Sequence, residues 1–388
     1  MTNRKAITPF PGQTLAALLL LSTFFGCDDP SSVGLELIGG SNGEPKSFVV
    51  EPSLLSEENG RDITGSRTRV LVGSVADPIT GEIGAAGLLD FGPGSSRTES
   101  FLSGPLTSAT LTLTRDYVYG DTLQAGTLTL SMIAEEWEQL GLPSDTSVTS
   151  SGVIGTVNFS PADSIVTFEF PPDWIAANDT TFRSSTFSTS FHGIKLEATG
   201  VNSIVGFTTA SLLSAVSGGD TTSFVVQMTG TTSTRSSDAN LPADRILIQD
   251  SAGPQIGIDF ELNSDTLSDA VLNRFEITLF ADTALVSANL PSGFARPVPA
   301  SFDLIGVTED DALVFIDSGT IDDDGKLSFT STPLSNIYRD RLRSGSTIDH
   351  LRIVPGSSDI GVGPMVFHAE SSSAQSPKAT VVVSQFQK

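Results

Sequence analysis

Carboxylates are the residues whose type and spacing most directly suggest chemistry. Asp322, Asp323 and Asp324 are consecutive and precede Gly325, and clustered carboxylates are the ligands that hard cations such as Ca²⁺ prefer. The alternate-position spacing of an EF-hand loop and its closing Glu are both missing, and alternating strand patterns flank the group. The sequence therefore favours an exposed hairpin turn, with a calcium site formed by these three aspartates as the alternative.

A second acidic group surrounds a tryptophan. Glu135, Glu136 and Glu138 flank Trp137, and paired carboxylates beside an aromatic ring could form a glycosidase site. No second, distant carboxylate that would complete such a site can be singled out. Trp137, and Trp174 at the start of a short helix, are predicted to pack in or beside the core. Stacking of either indole on a bound sugar is the alternative.

Other catalytic signals are sparse. His192, His350 and His368 are far apart, and no Gly-x-Gly-x-x-Gly phosphate-binding loop follows a strand. The single cysteine excludes an internal disulfide and any metal site built on clustered thiolates. We therefore predict a protein that is not an enzyme and has no cofactor.

The N-terminus has a targeting pattern. Arg4 and Lys5 form a positive region, and a short apolar stretch follows over residues 15–25. This stretch is too short for a transmembrane helix, which needs about 20 residues, and it is typical of a secretory signal peptide. The only cysteine of the chain, Cys27, follows directly after Gly26. Residues 1–26 are therefore predicted to be a signal peptide.

The position of Cys27 resembles the lipobox of bacterial lipoproteins, in which a small residue precedes the cysteine. Gly26 matches that residue, whereas Phe24 and Phe25 stand where the usual lipobox has leucine and a small residue. The resemblance implies cleavage between Gly26 and Cys27, a diacylglycerol on the cysteine sulfur and a third acyl chain, such as palmitate, on its new amine. Several acyl chains anchor a protein stably to a membrane. A plain signal peptide with a coincidental cysteine is the alternative.

Asp28 and Asp29 follow the cysteine. This acidic pair resembles the export signal that sends Bacteroidota lipoproteins to the outer face of the outer membrane, whereas in enterobacterial lipoproteins an Asp at this place favours retention at the inner membrane. Residues 27–48 are rich in Gly, Ser and Pro, as a flexible tether would be. We expect a lipid-anchored outer-membrane protein that faces the cell surface, with the periplasmic face as the alternative.

Short segments of alternating apolar and polar residues, separated by turn-forming residues, predict an all-β body. The clearest of these segments are residues 109–114, 127–132, 165–170 and 275–280. Short helical turns are predicted over residues 172–177 and 333–342.

A strand followed by a helical turn occurs twice, at an offset of about 160 residues, and further strand matches lie before and after it. The pattern predicts two tandem antiparallel β-sandwich domains of jelly-roll type, although unrelated sandwiches could also look alike at this level. The predicted domains span residues 49–232 and 245–388, with a linker over 233–244.

Several short motifs in the body resemble known families. They are Val72-Gly73-Ser74-Val75-Ala76-Asp77-Pro78-Ile79-Thr80-Gly81, Leu88-Leu89-Asp90-Phe91, Ala109-Thr110-Leu111-Thr112-Leu113, Phe191-His192-Gly193-Ile194 and Pro377-Lys378-Ala379-Thr380-Val381-Val382-Val383. The first, third and fourth are similar to an uncharacterised Bacteroidota lipoprotein family, a domain of unknown function. The second, third and fifth resemble the jelly roll of DNRLRE-type carbohydrate-binding or adhesion modules, although the Arg-Leu-Arg of that name is missing.

Charge limits the classes of partner. The chain has 21 basic and 45 acidic residues and a formal net charge of −24. Removal of residues 1–26 takes away Arg4 and Lys5 and no acid, which leaves a net charge of −26. Such a chain cannot neutralise the phosphates of nucleic acid. We therefore expect a non-catalytic, lipid-anchored lipoprotein for binding, adhesion or envelope assembly, whose partners are the membrane and envelope proteins. The first alternative is a carbohydrate-binding surface module that captures glycans, and the second is a glycan-acting enzyme.

Overall fold

A computed structural model describes residues 45–59, 68–139, 142–236, 239–251, 253–262, 267, 270–288, 290–343, 345–356, 361–370 and 374–385. The signal peptide, Gly26, Cys27, the Asp28–Asp29 pair and most of the tether lie outside these residues. Within them, antiparallel strands dominate and the helices are short, which confirms the predicted all-β class.

Ten strands form the first half of the body, residues 68–236. They are β3 (Arg69–Asp77), β4 (Gly81–Pro93), β5 (Leu106–Asp121), β6 (Gly126–Ile133), β7 (Ser150–Phe159), β8 (Ile165–Glu169), β9 (Ile194–Thr199), β10 (Ser203–Thr208), β11 (Leu212–Ser217) and β12 (Asp220–Arg235). The short helices α1 (Glu99–Ser103), α2 (Pro172–Arg183) and α3 (Phe187–Ser190) interrupt them.

The sheet of the first half closes on itself. Its order is β12-β11-β5-β10-β3-β4-β9-β6-β7, β8 also pairs with β5, and β12 returns to pair with β4. In β5 the apolar residues Ala109, Leu111 and Leu113 are buried, whereas the intervening Thr110 and Thr112 are half-buried, as expected where one face of a strand covers a core. The enclosed core is rich in phenylalanine and includes Phe101, Phe182, Phe187, Phe191, Phe207 and Phe224.

The second half, residues 239–385, contains β13 (Arg245–Gln249), β14 (Pro254–Asp259), β15 (Ala270–Phe280), β16 (Phe294–Ala295), β17 (Phe302–Thr308), β18 (Leu313–Gly319), β19 (Lys326–Phe329), β20 (Ile348–Pro355), β21 (Pro364–His368) and β22 (Lys378–Gln385). Its helices are α4 (Thr283–Ser287) and α5 (Thr332–Arg343).

Two sheets of the second half share one apolar core and therefore form a sandwich. One, which begins with β1 (Pro45–Val50), has the order β1-β22-β15-β19. The other, which ends with β2 (Leu54–Asn59), has the order β18-β17-β20-β14-β2, while β13 and β21 form a separate pair. Phe275 of the first sheet and Leu304 and Leu351 of the second belong to this core, together with Leu334 and Tyr338 of α5.

The N-terminal strands differ from the predicted domain boundaries. β1 (Pro45–Val50) pairs with β22, and β2 (Leu54–Asn59) pairs with β14. Residues 49–59, which the predicted boundary assigns to the first domain, are therefore hydrogen-bonded to the second half. In addition, β12 continues to Arg235, into the predicted linker over 233–244. The alternation of apolar and polar residues identifies a strand but not the distant strand with which it pairs. Local sequence patterns therefore could not locate these domain boundaries.

The predicted repeat corresponds to a shared local arrangement. In the first half β8 pairs with β5 and leads into α2, which packs on β5; in the second half β19 pairs with β15 and leads into α5, which packs on β15. Each helix has 12 residues. The division of the chain into two independently folding domains stays a prediction.

Candidate functional site

The aspartates of the proposed calcium site form a hairpin turn before β19. Asp322 Oδ1 accepts hydrogen bonds from the backbone N–H of Asp324 at 3.0 Å and of Lys326 at 2.8 Å. Gly325, at φ 76°, closes the turn with a bond from its N–H to the Asp322 carbonyl. The Asp322 carboxylate is thus used by the turn itself. Within the described ranges, no three His, Cys, Asp or Glu side chains come together as a metal ion would require.

Trp137 lies in a small core beneath the loop that follows β6. It is 7% exposed and packs with Leu88, Ile133 and Leu142. Its Nε1–H donates to the His192 carbonyl at 2.9 Å. The indole therefore has little free surface on which a sugar could stack. The neighbouring glutamates are exposed and line an open pocket of about 310 Å³.

Trp174 lies in the first turn of α2 and is half-buried. Its ring stacks on Phe170, with ring centres 4.1 Å apart, and meets Phe182 edge-on at 5.6 Å. Its Nε1 is buried without a hydrogen-bond partner. The ring is thus part of an aromatic cluster that fastens α2 to the sheet.

The three histidines have separate surroundings. His350 Nδ1 lies 2.9 Å from Asp349 Oδ2, and His192 contributes only its carbonyl to Trp137. Burial, together with the nearby charge of Arg245, lowers the pKa of His368. None of them belongs to a group of side chains that could hold a metal ion within the described part of the chain.

A buried ion pair that the sequence did not reveal joins the two halves. Arg296 Nε lies 2.6 Å from Asp77 Oδ2, and Arg296 Nη2 lies 2.9 Å from Asp77 Oδ1, with both side chains 1% exposed or less. The Tyr119 hydroxyl donates to Asp77 Oδ2 at 2.9 Å. Burial alone would raise the pKa of Asp77, but the bonds from Arg296 and the Ile79 amide outweigh burial and lower it.

Further polar contacts continue this junction. Arg235 donates to the Gln249 side-chain oxygen at 2.7 Å, and Gln249 Nε2 donates to the Val362 carbonyl at 2.8 Å. The Val362 N–H in turn donates to the Tyr117 hydroxyl at 3.0 Å. Beside them β16, from the second half, pairs with the end of β5. These contacts fix one half against the other. The residues around Arg296 follow no recognisable motif, so the sequence alone could not identify this role.

Asp90, on β4, is a buried carboxyl group that has no cationic partner among the residues that the structure describes. It is 6% exposed, and its Oδ1 accepts a hydrogen bond from the Phe91 N–H at 2.8 Å. Burial raises its pKa to about 6, although the Phe91 amide opposes the shift. A general acid must reach its substrate, and the low exposure of Asp90 leaves no room for that contact. The protonation state of Asp90 therefore affects the free energy of unfolding.

The polar cleft at the end of β14 has an open volume of about 470 Å³. Tyr338 donates to Asp259 Oδ1 at 2.7 Å, and Arg341 Nη1 lies 2.5 Å from the same oxygen. Arg341 Nη2 donates to the carbonyls of Ile348 and Asp349. Because the Arg341 guanidinium is held by the protein, it forms a fixed wall of the cleft.

Comparisons with known proteins do not identify a relative. No protein-family model matches the chain, and no curated protein matches it. A chain in the cryo-EM structure of Broad Bean Stain Virus aligns with 83% of this chain and 92% of its own length, at 8% identity and a TM-score of 0.14. A likeness this low carries no argument about fold or function. Within the described ranges, no helix combines the length and apolar character needed to span a bilayer.

Proposed function

We propose that this chain is a non-catalytic lipoprotein, anchored in the outer membrane through acylated Cys27, whose β-sandwich body binds other components of the cell envelope. The observation that carries the anchor is the single cysteine of the chain, placed directly after Gly26 at the end of a short apolar segment. Acyl chains contribute about 0.8 kcal/mol per buried methylene, so several of them hold a protein on a membrane without any spanning helix.

The geometry of the body supports binding over catalysis. Asp77 is buried and held by Arg296, and Asp90 is enclosed, while Asp259, which is 20% exposed in the polar cleft, is held by Arg341. These carboxylates are engaged in holding the fold together. A catalytic acid or base needs access to a substrate proton. Asp77 and Asp90 do not have that access, and Oδ1 of Asp259 is occupied by the hydrogen bonds from Tyr338 and Arg341.

Replacement of the cysteine tests the anchor. The Cys27→Ser variant should lose labelling by radioactive palmitate and should move from the membrane fraction to the soluble fraction of cells, because serine cannot form the thioether to diacylglycerol. Ser31→Ala, in the same segment, is the matched control and should stay in the membrane. If Cys27→Ser remains in the membrane fraction, the lipoprotein assignment is wrong.

Surface exposure is tested separately. Protease added to intact cells should digest the wild-type protein, and replacement of Asp28 and Asp29 by alanine should protect it if this pair directs export. Full protection of the wild type would indicate the periplasmic face.

Glycan binding is the second candidate function. It is favoured by the open pocket beside Trp137, where Glu135, Glu136 and Glu138 are joined by the hydroxyl groups of Thr146 and Ser147. Such polar groups suit a hydroxylated ligand. A glycan array probed with the purified protein tests this candidate, and the absence of any bound glycan on the array would exclude it for the glycans displayed.

A further inference from the structure

Three consecutive apolar side chains are exposed at the start of β18. Leu313, Val314 and Phe315 are 60%, 43% and 61% exposed, whereas the next residue, Ile316, is buried in the core. Elsewhere in the described part of the chain, exposed large apolar residues do not form a run of three. Runs of this kind are unfavourable on a monomer unless they have a function.

The same residues belong to an open sheet edge. β18 ends the five-stranded sheet, and β17 is its partner there. The later part of β18 is covered by its own chain, since the Ser331 hydroxyl donates to the Ile316 carbonyl at 3.2 Å and the Thr330 N–H donates to Asp317 Oδ2 at 2.8 Å. The register with β17 also shifts at Ile316. Residues 313–315 therefore form the open part of the edge, where an extended segment could add as a further strand.

The hairpin that contains this edge carries charge of one sign. The hairpin of β17 and β18, residues 302–319, contains five acidic residues and no Lys, Arg or His. Glu309, Asp310 and Asp311 form its exposed turn, and Ala312 alone separates them from the apolar run. A hydrogen bond of 2.5 Å from Thr308 Oγ1 holds the Asp310 carboxylate in this turn. A segment with Lys or Arg next to its apolar residues complements this surface.

Pairing with a second copy of the chain is unfavourable. An antiparallel pair centred on Val314 would place Asp311 of one copy opposite Asp317 of the other, and like charges directly opposite each other destabilise a strand pair. The formal charge of −24 on each chain adds long-range repulsion.

The edge also lies away from the point where the tether enters the body. β1 and β2 end the two sheets of the sandwich on one side, and β19 and β18, which contact each other, end them on the other. Four strand-to-strand steps separate β2 from β18, or roughly 19 Å at about 4.8 Å per step. The N-terminal strands and this edge therefore lie at opposite sides of the sandwich.

We propose that residues Leu313–Phe315 are a docking edge for an extended segment of a partner protein that carries apolar side chains next to Lys or Arg and adds to the sheet beside β18. This inference rests on the proposed binding function and gives it a site and a class of partner, but it does not depend on the lipid anchor.

Synthetic peptides test the docking edge. The probe is a fluorescent peptide of about eight residues, a common strand length, with alternating Val and Thr between terminal lysines. A second peptide has Glu in place of Lys, and a third has the lysine sequence with alternate backbone nitrogens methylated. The full-length mature protein should bind the lysine peptide in fluorescence anisotropy. It should bind the other two at least about tenfold more weakly, because one has the wrong charge and the other cannot pair along the edge.

Variants locate the site. Leu313→Ser combined with Phe315→Ser should weaken binding of the lysine peptide about tenfold or more. Glu309→Gln combined with Asp311→Asn should weaken it severalfold, most strongly at low salt. Val153→Ser is the matched control, because Val153 is 66% exposed on the edge strand β7, and it should bind as the wild type does. The methylated peptide needs no variant, so the test stands even if a substitution impairs folding.

Several results would overturn the proposal. They are lack of binding of the lysine peptide, binding unaffected by the serine substitutions or by backbone methylation, Phe315-dependent sedimentation with phosphatidylcholine vesicles, and a Phe315-dependent dimer in sedimentation velocity. The last two would assign the edge to a lipid surface or to a second copy. If Cys27→Ser stays in the membrane fraction while peptide binding holds, the anchor is wrong and the docking edge stands.

Discussion

Both halves of the body contain a strand followed by a helix that packs on a neighbouring strand, but different side chains hold the helix in place. α2 follows β8 and packs on β5, and α5 follows β19 and packs on β15. In the first half the helix is fastened mainly by aromatic rings, because Phe182 contacts Trp174, Phe187 and Phe224. In the second half Tyr338 stacks on Phe275, with ring centres 3.7 Å apart, and meets Phe260 edge-on at 6.5 Å.

The charged residue that bonds each helix to its strand is acidic in the first half and basic in the second. In the first half Asp179 accepts a hydrogen bond of 2.6 Å from the N–H of Leu106, at the start of β5. In the second half Arg339 donates a hydrogen bond of 3.0 Å to the carbonyl of Leu272, near the start of β15. Each is the eighth residue of a 12-residue helix. In both halves a charged residue at the same position of the helix links it to the strand, and the sign of its charge differs between the halves.

The largest expected effect comes from breaking the junction between the halves. Arg296→Met would leave Asp77 buried without its counter-charge, so the free energy of unfolding should fall by about 3–5 kcal/mol. Urea unfolding followed by tryptophan fluorescence and by circular dichroism measures this loss. Since both tryptophans lie in the first half, the two signals should separate if the halves then unfold independently.

The control for the junction is a more exposed ion pair. Lys195 and Glu197 are 2.9 Å apart, with side chains 20% and 46% exposed, so Lys195→Met should cost about 1 kcal/mol or less. If Arg296→Met costs no more than this control, the ion pair does not hold the halves together.

An effect of intermediate size is expected from the pH dependence of stability, in which Asp90 of the first half should differ from Asp259 of the second. Asp259 is paired with Arg341, whereas Asp90 lacks a cation and its raised pKa of about 6 favours the protonated form in the folded state. The stabilisation that Asp90 contributes is therefore present below its unfolded pKa of about 4 and is lost as the pH rises through about 6.

Asp90→Asn keeps the shape of the side chain and cannot ionise. The variant should be more stable than the wild type by roughly 2–3 kcal/mol above about pH 7 and should show a much smaller advantage near pH 4. Urea unfolding at a series of pH values measures the difference. A difference that does not change with pH would show that ionisation of Asp90 is not its cause.

The smallest expected effect tests the reversed helix contacts directly. Asp179→Ala and Arg339→Ala should each lower the free energy of unfolding by about 1–2 kcal/mol, because each removes a charged partner from a backbone group. Thr180→Ala and Asp340→Ala, at the exposed neighbouring positions, should stay within about 0.5 kcal/mol of the wild type. A loss in one half without a matching loss in the other would break the correspondence between the two contacts.

The sequence by itself determined the local elements. Alternation predicted segments of β5, β6, β8 and β15, and the residues after β8 and β19 predicted α2 and α5. It also marked the repeat, because strand and helix patterns are local and survive changes in chemistry such as that between Asp179 and Arg339. The anchor at Cys27 likewise rests on a local pattern of charge, apolar length and one cysteine, and it stays a prediction.

Only the tertiary structure decided which distant segments meet. It paired β1 and β2 with the second half and closed the first sheet through β12 and β4. It also brought Arg296 to Asp77 across 219 positions and left residues 313–315 uncovered at a sheet edge. The physical reason is that the alternation of apolar and polar residues shows which side of a strand is buried but not which strand lies next to it. That choice depends on how the whole chain encloses its cores and compensates its buried charges.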